Sequence, residues 1–267
     1  RYYWIWQGRT GLSLYHPASE QISFASDFPN DTGKYHIIKC IEKCRTQPGI
    51  WAASGNACVV HLQHESMKMK CIQEIRIPDA CQVRVLHEDD QGNLWIGTEN
   101  AIYQYSISDG NMRRIHKDTG AINGIAISPD KAIYYITETP EFSCLPPDGQ
   151  VHSIHKGENY SSIIISPDNK IWTATLEGNV YSYHPQLQTL AREDNACNAN
   201  GDAVKSMTVD NLGHLWILAD QYVKEYNPKN HSFRILYNSD RFIQVDYFLS
   251  IGKIENGTIC LGGIGAF

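Results

Sequence analysis

The sequence predicts an all-β fold, a β-propeller of four-stranded antiparallel blades, on three observations. A hairpin unit returns along the whole chain, a large aromatic residue recurs at one slot of that unit, and no segment carries a helical period.

The clearest unit runs from Val83 to Tyr105. It reads as an apolar strand to Glu88, a polar turn Asp89-Asp90-Gln91-Gly92-Asn93, a second apolar strand Leu94-Trp95-Ile96-Gly97-Thr98, a short polar loop, and a third strand Ala101 to Tyr105. Strands joined by a tight Asp/Asn/Gly turn are a hairpin signal. The unit returns around Asp210 to Trp216, Ser166 to Trp172 and Ser128 to Tyr134, with weaker copies at Ile50 to Val60, Trp4 to Tyr15 and Glu255 to Gly263. The second-strand slot is then held by Trp4, Trp51, Trp95, Tyr134, Trp172, Trp216 and Cys260, with gaps of 47, 44, 39, 38, 44 and 44 residues. Propeller blades repeat at about 40 to 45 residues. A flat aromatic at a fixed slot fills the wedge between diverging sheets, so these rings are read as core.

Counted by that slot there are seven blades, of which the second to the sixth are complete. The first copy lacks a strand before Trp4, and the last stops at Phe267 after its second strand. The expectation is a truncated seven-bladed ring forming a single domain over 1–267. A six-bladed ring with the two ends sharing a blade is the alternative. Arg1 stands where a start Met would, which reads as a processed or excised piece of a longer protein.

Apolar residues make up 42 % of the 267, enough for a real core. The net charge of −6 carries no basic stripe, which argues against nucleic acid. No run of 18 apolar residues occurs, so no membrane contact is expected. Of the eight cysteines none forms a Cys-x-x-Cys pair, which argues against zinc and thioredoxin-type redox chemistry. Most are read as buried free thiols, with one disulfide open in an oxidising space.

A search for chemistry returns no catalytic constellation, no metal site and no cofactor motif. His61/His64 and His152/His155 stand three apart, a spacing that puts strand side chains on opposite faces. The acidic turns at Glu88 to Asp90 and Asp210-Asn211 lack calcium-loop spacing and serve as hairpin turns. Binding is the better reading. Propeller loops converge on one face, and the loop after the second strand varies while the strands repeat. It carries Arg9 and Thr10, Asn56, Glu99 and Asn100, Glu138, Glu177 and Asn179, and Asp220 and Gln221. Such a mixture of donors and acceptors suits sugar hydroxyls, while each residue singly would also serve as loop solvation.

The stretch Glu88-Asp89-Asp90-Gln91-Gly92-Asn93-Leu94-Trp95-Ile96-Gly97-Thr98 resembles the repeat of the two-component regulator propellers, and Asn256 to Phe267 resembles the family's closing blade. The resemblance implies the periplasmic sensor region of a Bacteroides-type hybrid histidine kinase, itself without enzymatic activity. It further implies an oligosaccharide ligand, a homodimeric parent receptor, and a neighbouring propeller, β-sandwich and kinase elsewhere in the parent chain. A propeller enzyme resembling the streptogramin lyases is the alternative. An interaction scaffold ranks last, because the Gly-His and Trp-Asp signatures of WD repeats are missing.

Overall fold

The computed structural model describes residues 2–6, 12–24, 38–55, 57–117, 119–197, 201–220, 222–238, 248–253 and 257–263. They form two compact units, Arg1–Ile122 and Asn123–Phe267.

The first unit opens with a three-stranded sheet, β1 (Tyr3–Trp6), β2 (Leu12–His16) and β3 (Gln21–Phe24). A four-stranded sheet follows, made of β4 (Ile38–Lys43), β5 (Ile50–Ser54), β6 (Cys58–Glu65) and β7 (Lys68–Arg76). The next comprises β8 (Val83–Glu88), β9 (Asn93–Thr98), β10 (Ala101–Ser106) and β11 (Met112–Lys117). Strand β12 (Ile122–Ile127) starts at the boundary and begins a sheet with β13 (Ile133–Thr137), β14 (Glu141–Leu145) and β15 (His152–Lys156). The second unit continues with β16 (Tyr160–Ile165), β17 (Ile171–Thr175), β18 (Val180–His184) and β19 (Thr189–Arg192). Then come β20 (Val204–Val209), β21 (Leu215–Ala219), β22 (Tyr222–Asn227) and β23 (Ser232–Asn238). A two-stranded sheet of β24 (Phe248–Lys253) and β25 (Ile259–Gly263) ends the described chain.

The described strands thus make five complete four-stranded blades, the count the repeat predicts, plus a three-stranded and a two-stranded sheet. Those two partial sheets count as one blade in a six-bladed reckoning and as two in a seven-bladed one.

Burial explains why the second strands read as unbroken apolar runs. In β5, β13 and β17 every residue is buried. Successive side chains point to opposite faces, so a strand covered on both faces needs apolar residues throughout. Ile50 and Ala52 pack with Leu12, Leu14 and Leu62, whereas Trp51 and Ala53 pack with Val83, Leu86 and Leu94 of the following sheet. In the second unit Ile171 faces the sheet before it, and Trp172 faces Val204, Met207 and Tyr226 of the sheet after. Four of the slot aromatics are core, as expected, with Trp51 0 % and Trp172 1 % exposed beside Trp95 and Tyr134, whereas Trp4 and Trp216 are half-buried. The fourth strands, by contrast, are mostly exposed or half-buried, for example in β11 and β19.

Three of the slot indoles bond a residue of their own hairpin turn, and that partner explains the turn sequence. Trp95 donates to Asp89 Oδ2 at 2.9 Å, Trp216 to Asp210 Oδ2 at 3.0 Å and Trp172 to Ser166 Oγ at 3.1 Å, six residues back in every case. The same Asp caps its own turn: Asp89 Oδ1 accepts the N–H groups of Gln91 and Asn93, both at 2.9 Å. The acidic turn is structural, as the absent calcium-loop spacing predicts. Burial alone would raise the Asp89 and Asp210 carboxyls, but the indole and backbone N–H donors outweigh it and hold both below the usual range. Their contribution to stability is complete above the unfolded aspartate value and is lost as pH falls through the lower folded value. The urea midpoint should therefore drop on acidification below that range. Asp89→Asn should start about 1–2 kcal/mol weaker at neutral pH and lose less in acid. An Asp89→Asn midpoint that tracks the native protein at every pH would contradict this.

All eight thiols are free. Only Cys44, Cys58, Cys144 and Cys197 are buried; Cys40, Cys71 and Cys81 are half-buried and Cys260 is exposed. The expectation that most are buried is thus met by half of them, because Cys40, Cys71 and Cys81 lie on or beside less covered strand segments. Burial pushes the Cys40 thiol up to about 12 and the Cys144 thiol up to about 11, which keeps both in the unreactive protonated form.

Candidate functional site

The loops between second and third strands are short, and a bulge prepares the same end of the sheets. Where first and second strands pair, the register slips between Val83 and Val85, Tyr160 and Ser162, Val204 and Ser206, and Ile38 and Cys40. Each bulge lies opposite the last residues of the second strand, next to the loop. A bulge increases local twist and re-aims the extra residue. At Lys205 the result is an ion pair, Nζ to Asp220 Oδ1 at 2.7 Å. A polar residue inside an apolar first strand was the available sequence signal for it.

In the first unit, Glu99 and Asn100 are exposed on the β9–β10 loop. The Asn100 side-chain oxygen accepts from Cys81 Sγ at 3.2 Å, which ties the loop to the connector preceding β8. Arg9, Thr10, Asn56 and Gln221 lie outside the described residues.

In the second unit, Glu138 and Asp220 are exposed, and Asp220 is held by Lys205. Glu177 and Asn179, on the β17–β18 loop, form the best-built part of the site. Asn159 Nδ2 donates to Glu177 Oε1 at 2.6 Å, and Asn179 Nδ2 donates to Glu158 Oε2 at 3.0 Å. Asn179 Oδ1 accepts from the Arg192 guanidinium at 2.9 and 3.2 Å. The Tyr181 hydroxyl donates to Glu158 Oε1. The His155 and Tyr181 rings lie 5.5 Å apart, and His155 Nδ1 is hydrogen-bonded to the Tyr160 hydroxyl. The donated bond from Asn159 holds the Glu177 carboxyl below its usual range. Burial, and then Glu158, push the Tyr181 phenol up. Glu177 therefore stays an ionised acceptor and Tyr181 a neutral donor at neutral pH.

The sequence singled out Glu177 and Asn179 as loop residues, and not Glu158, Asn159, Tyr181 and Arg192, which the structure brings beside them. Glu158 and Asn159 belong to the connector from a fourth strand to the next first strand, which folds back beside the loop. The polar run Gly157-Glu158-Asn159 ahead of the strand Tyr160–Ile165 was its trace. What results is a partly exposed array of carboxylates, carboxamides and a guanidinium, backed by the buried rings of Tyr160 and Tyr181. It offers acceptors and donors to a polar ligand. The histidine pairs behave differently: His61 is buried, with Nε2 2.8 Å from the Pro48 carbonyl, and His64 packs against Tyr2 with ring centroids 4.3 Å apart.

The repeated four-stranded sheets are those of a β-propeller, and residues 77–100, in the third repeat, match the family described as two component regulator propeller. No curated protein sequence matches the chain. Among solved structures, the chain shares its fold with extracellular domains ascribed to the hybrid two component systems BT4673 and BT3049 of B. thetaiotaomicron. Both have a TM-score of 0.77 at 18 % identity over 98 % of this chain, and the match spans 35 % and 36 % of those chains. The chain therefore covers about a third of the length of those domains. Virginiamycin B lyase from Staphylococcus aureus has the same fold, with a TM-score of 0.75 at 14 % identity, covering 97 % of this chain and 87 % of the lyase. Among the described residues, no helix is long and apolar enough to cross a membrane.

Proposed function

We propose that this chain is one propeller domain of the periplasmic sensor region of a hybrid two component histidine kinase, and that it binds an oligosaccharide or another polysaccharide-derived ligand without chemistry of its own. The observation that carries the reading is the two component regulator propeller match at 77–100. The likenesses to the sensor extracellular domains and to the lyase are both of fold alone, at 18 % and 14 % identity, so the repeat match is what favours the sensor reading. In the parent chain a second propeller, a β-sandwich and the kinase lie outside these residues, and the receptor works as a homodimer.

The loop after the second strand of the fifth blade holds the ligand, with Glu177, Asn179 and Arg192 as its polar anchor in the second unit. Ligand hydroxyls would exchange with the existing side-chain bonds. Binding would act by favouring one arrangement of the receptor over another.

The test is calorimetry of the full sensor region against a panel of oligosaccharides. One sugar class should bind, and Glu177→Ala with Asn179→Ala should weaken it by at least about tenfold, the loss of one or two charge-assisted hydrogen bonds. A folded sensor that binds no member of the panel would overturn the ligand class. Binding that ignores the double variant would move the site elsewhere.

A further inference from the structure

The third and sixth blades carry the same hairpin with one chemical difference. In the third, Asp89 caps the turn and receives Trp95; Asn93 Nδ2 donates to Asp89 Oδ2 at 3.0 Å; and Arg113 donates to Gln104 Oε1 at 3.1 Å. Trp95 pairs with Gln104, and Gln104 with Arg113. In the sixth, Asp210 caps the turn and receives Trp216, Trp216 pairs with Glu225, and Glu225 with Arg234. The two carboxamides of the third blade are replaced by an imidazole and a carboxylate: His214 stands where Asn93 does, and Glu225 where Gln104 does. The scaffold tolerates neutral amides at both places, so forming the hairpin does not require His and Glu.

The replacement also changes the geometry. His214 Nδ1 does not bond the capping Asp as Asn93 does; it lies 3.7 Å from Asp210 Oδ2 and 2.7 Å from Glu225 Oε1. One ligand atom each from Asp210, His214 and Glu225 fall within 4.8 Å of one another. Nitrogen and oxygen ligands of zinc sit about 2.0–2.2 Å from the metal, so neighbours in a tetrahedral shell stand about 3.4 Å apart. The Asp210–His214 separation is close to that, and the Glu225 oxygen has to withdraw by less than about 1 Å. Arg234 donates to the other oxygen of Glu225 and orients it, leaving Oε1 toward the histidine. The His214 side chain is 20 % exposed, which opens the site to solvent.

We propose that Asp210 Oδ2, His214 Nδ1 and Glu225 Oε1 bind one divalent transition metal of the zinc class, completed by water. Imidazole with two carboxylates favours such a metal over calcium or magnesium, which take oxygen ligands alone. Binding needs neutral His214 with its lone pair on Nδ1, and two carboxylates offset most of the metal's charge. The site lies in the turn between first and second strands, at the opposite end of the blade from the loop after the second strand. It stands independently of the sensing proposal.

The test is titration of the chain with Zn2+ by calorimetry, repeated with Co2+ by visible absorption. The variants His214→Asn and Glu225→Gln reproduce the third blade's own residues, so the hairpin should keep its fold, checked by circular dichroism. His152→Asn serves as the control. The expected result is one equivalent of metal, weakened at least about tenfold in either variant and unchanged in the control. Absence of metal binding by the native chain would overturn the proposal and leave the triad as a charged hydrogen-bond network. Equal binding by the folded variants would overturn it as well.

Discussion

Replacing Glu88 with Ala is expected to cost about 3–5 kcal/mol of folding free energy, read as a large fall in the urea midpoint. Glu88 is 0 % exposed and ends β8, yet most of its partners lie on the preceding sheet. Its Oε1 accepts from Thr46 N at 2.8 Å and Thr46 Oγ1 at 2.6 Å, and its Oε2 accepts from the Trp51 indole at 2.7 Å. Truncation leaves the buried Trp51 indole facing a void, a donor without a partner costing about 1–3 kcal/mol, and takes from the exposed Thr46 two bonds to a carboxylate, worth about 1 kcal/mol each. The carboxylate therefore joins two sheets of the first unit through polar bonds, alongside their apolar contacts and the bond from Gln73 Nε2 to the Tyr105 hydroxyl at 2.6 Å. A loss below about 1 kcal/mol would mean that water replaces the carboxylate at no cost.

Trp172→Ala should cost about as much, roughly 3–5 kcal/mol, for a different reason. The indole is 1 % exposed and packs edge-on against Tyr226, with ring centroids 6.2 Å apart. Removing it empties the wedge between the β16–β19 and β20–β23 sheets and costs the Ser166 hydroxyl one accepted hydrogen bond, while that hydroxyl still donates to the Lys170 carbonyl. The penalty is then mainly lost burial and a cavity, and Trp172→Phe should restore much of it. If Trp172→Phe were as damaging as Trp172→Ala, the indole N–H and not the ring volume would be what matters there.

These two residues show how legible the protein was. Trp172 could be found by counting, because a radial wedge between like sheets demands one large flat side chain per period, and the demand is local and repeats. Glu88 could not, although it sits in the most recognisable motif of the chain. Its partners Thr46 and Trp51 are 42 and 37 residues away. Nothing in the strand pattern says that one carboxylate of an acidic triplet turns inward while its neighbours cap a turn or meet solvent. Asp90 does the latter, with Arg45 at 2.8 Å on the surface. The same division runs through the candidate site. Glu177 and Asn179 were visible as polar residues in a variable loop, but Glu158 and Arg192 reach them from a separate connector and strand.

By itself, the sequence determined the strand content, the blade period, the hairpin turns and the aromatic slots. These depend on side-chain alternation and turn chemistry within a few residues of one another. Only the tertiary structure decided which polar groups are buried partners, which connector completes the loop site, and that His214 turns from Asp210 toward Glu225. Those outcomes depend on distances between strands that the chain brings together after tens of residues, where registers and bulges, not composition, set who meets whom.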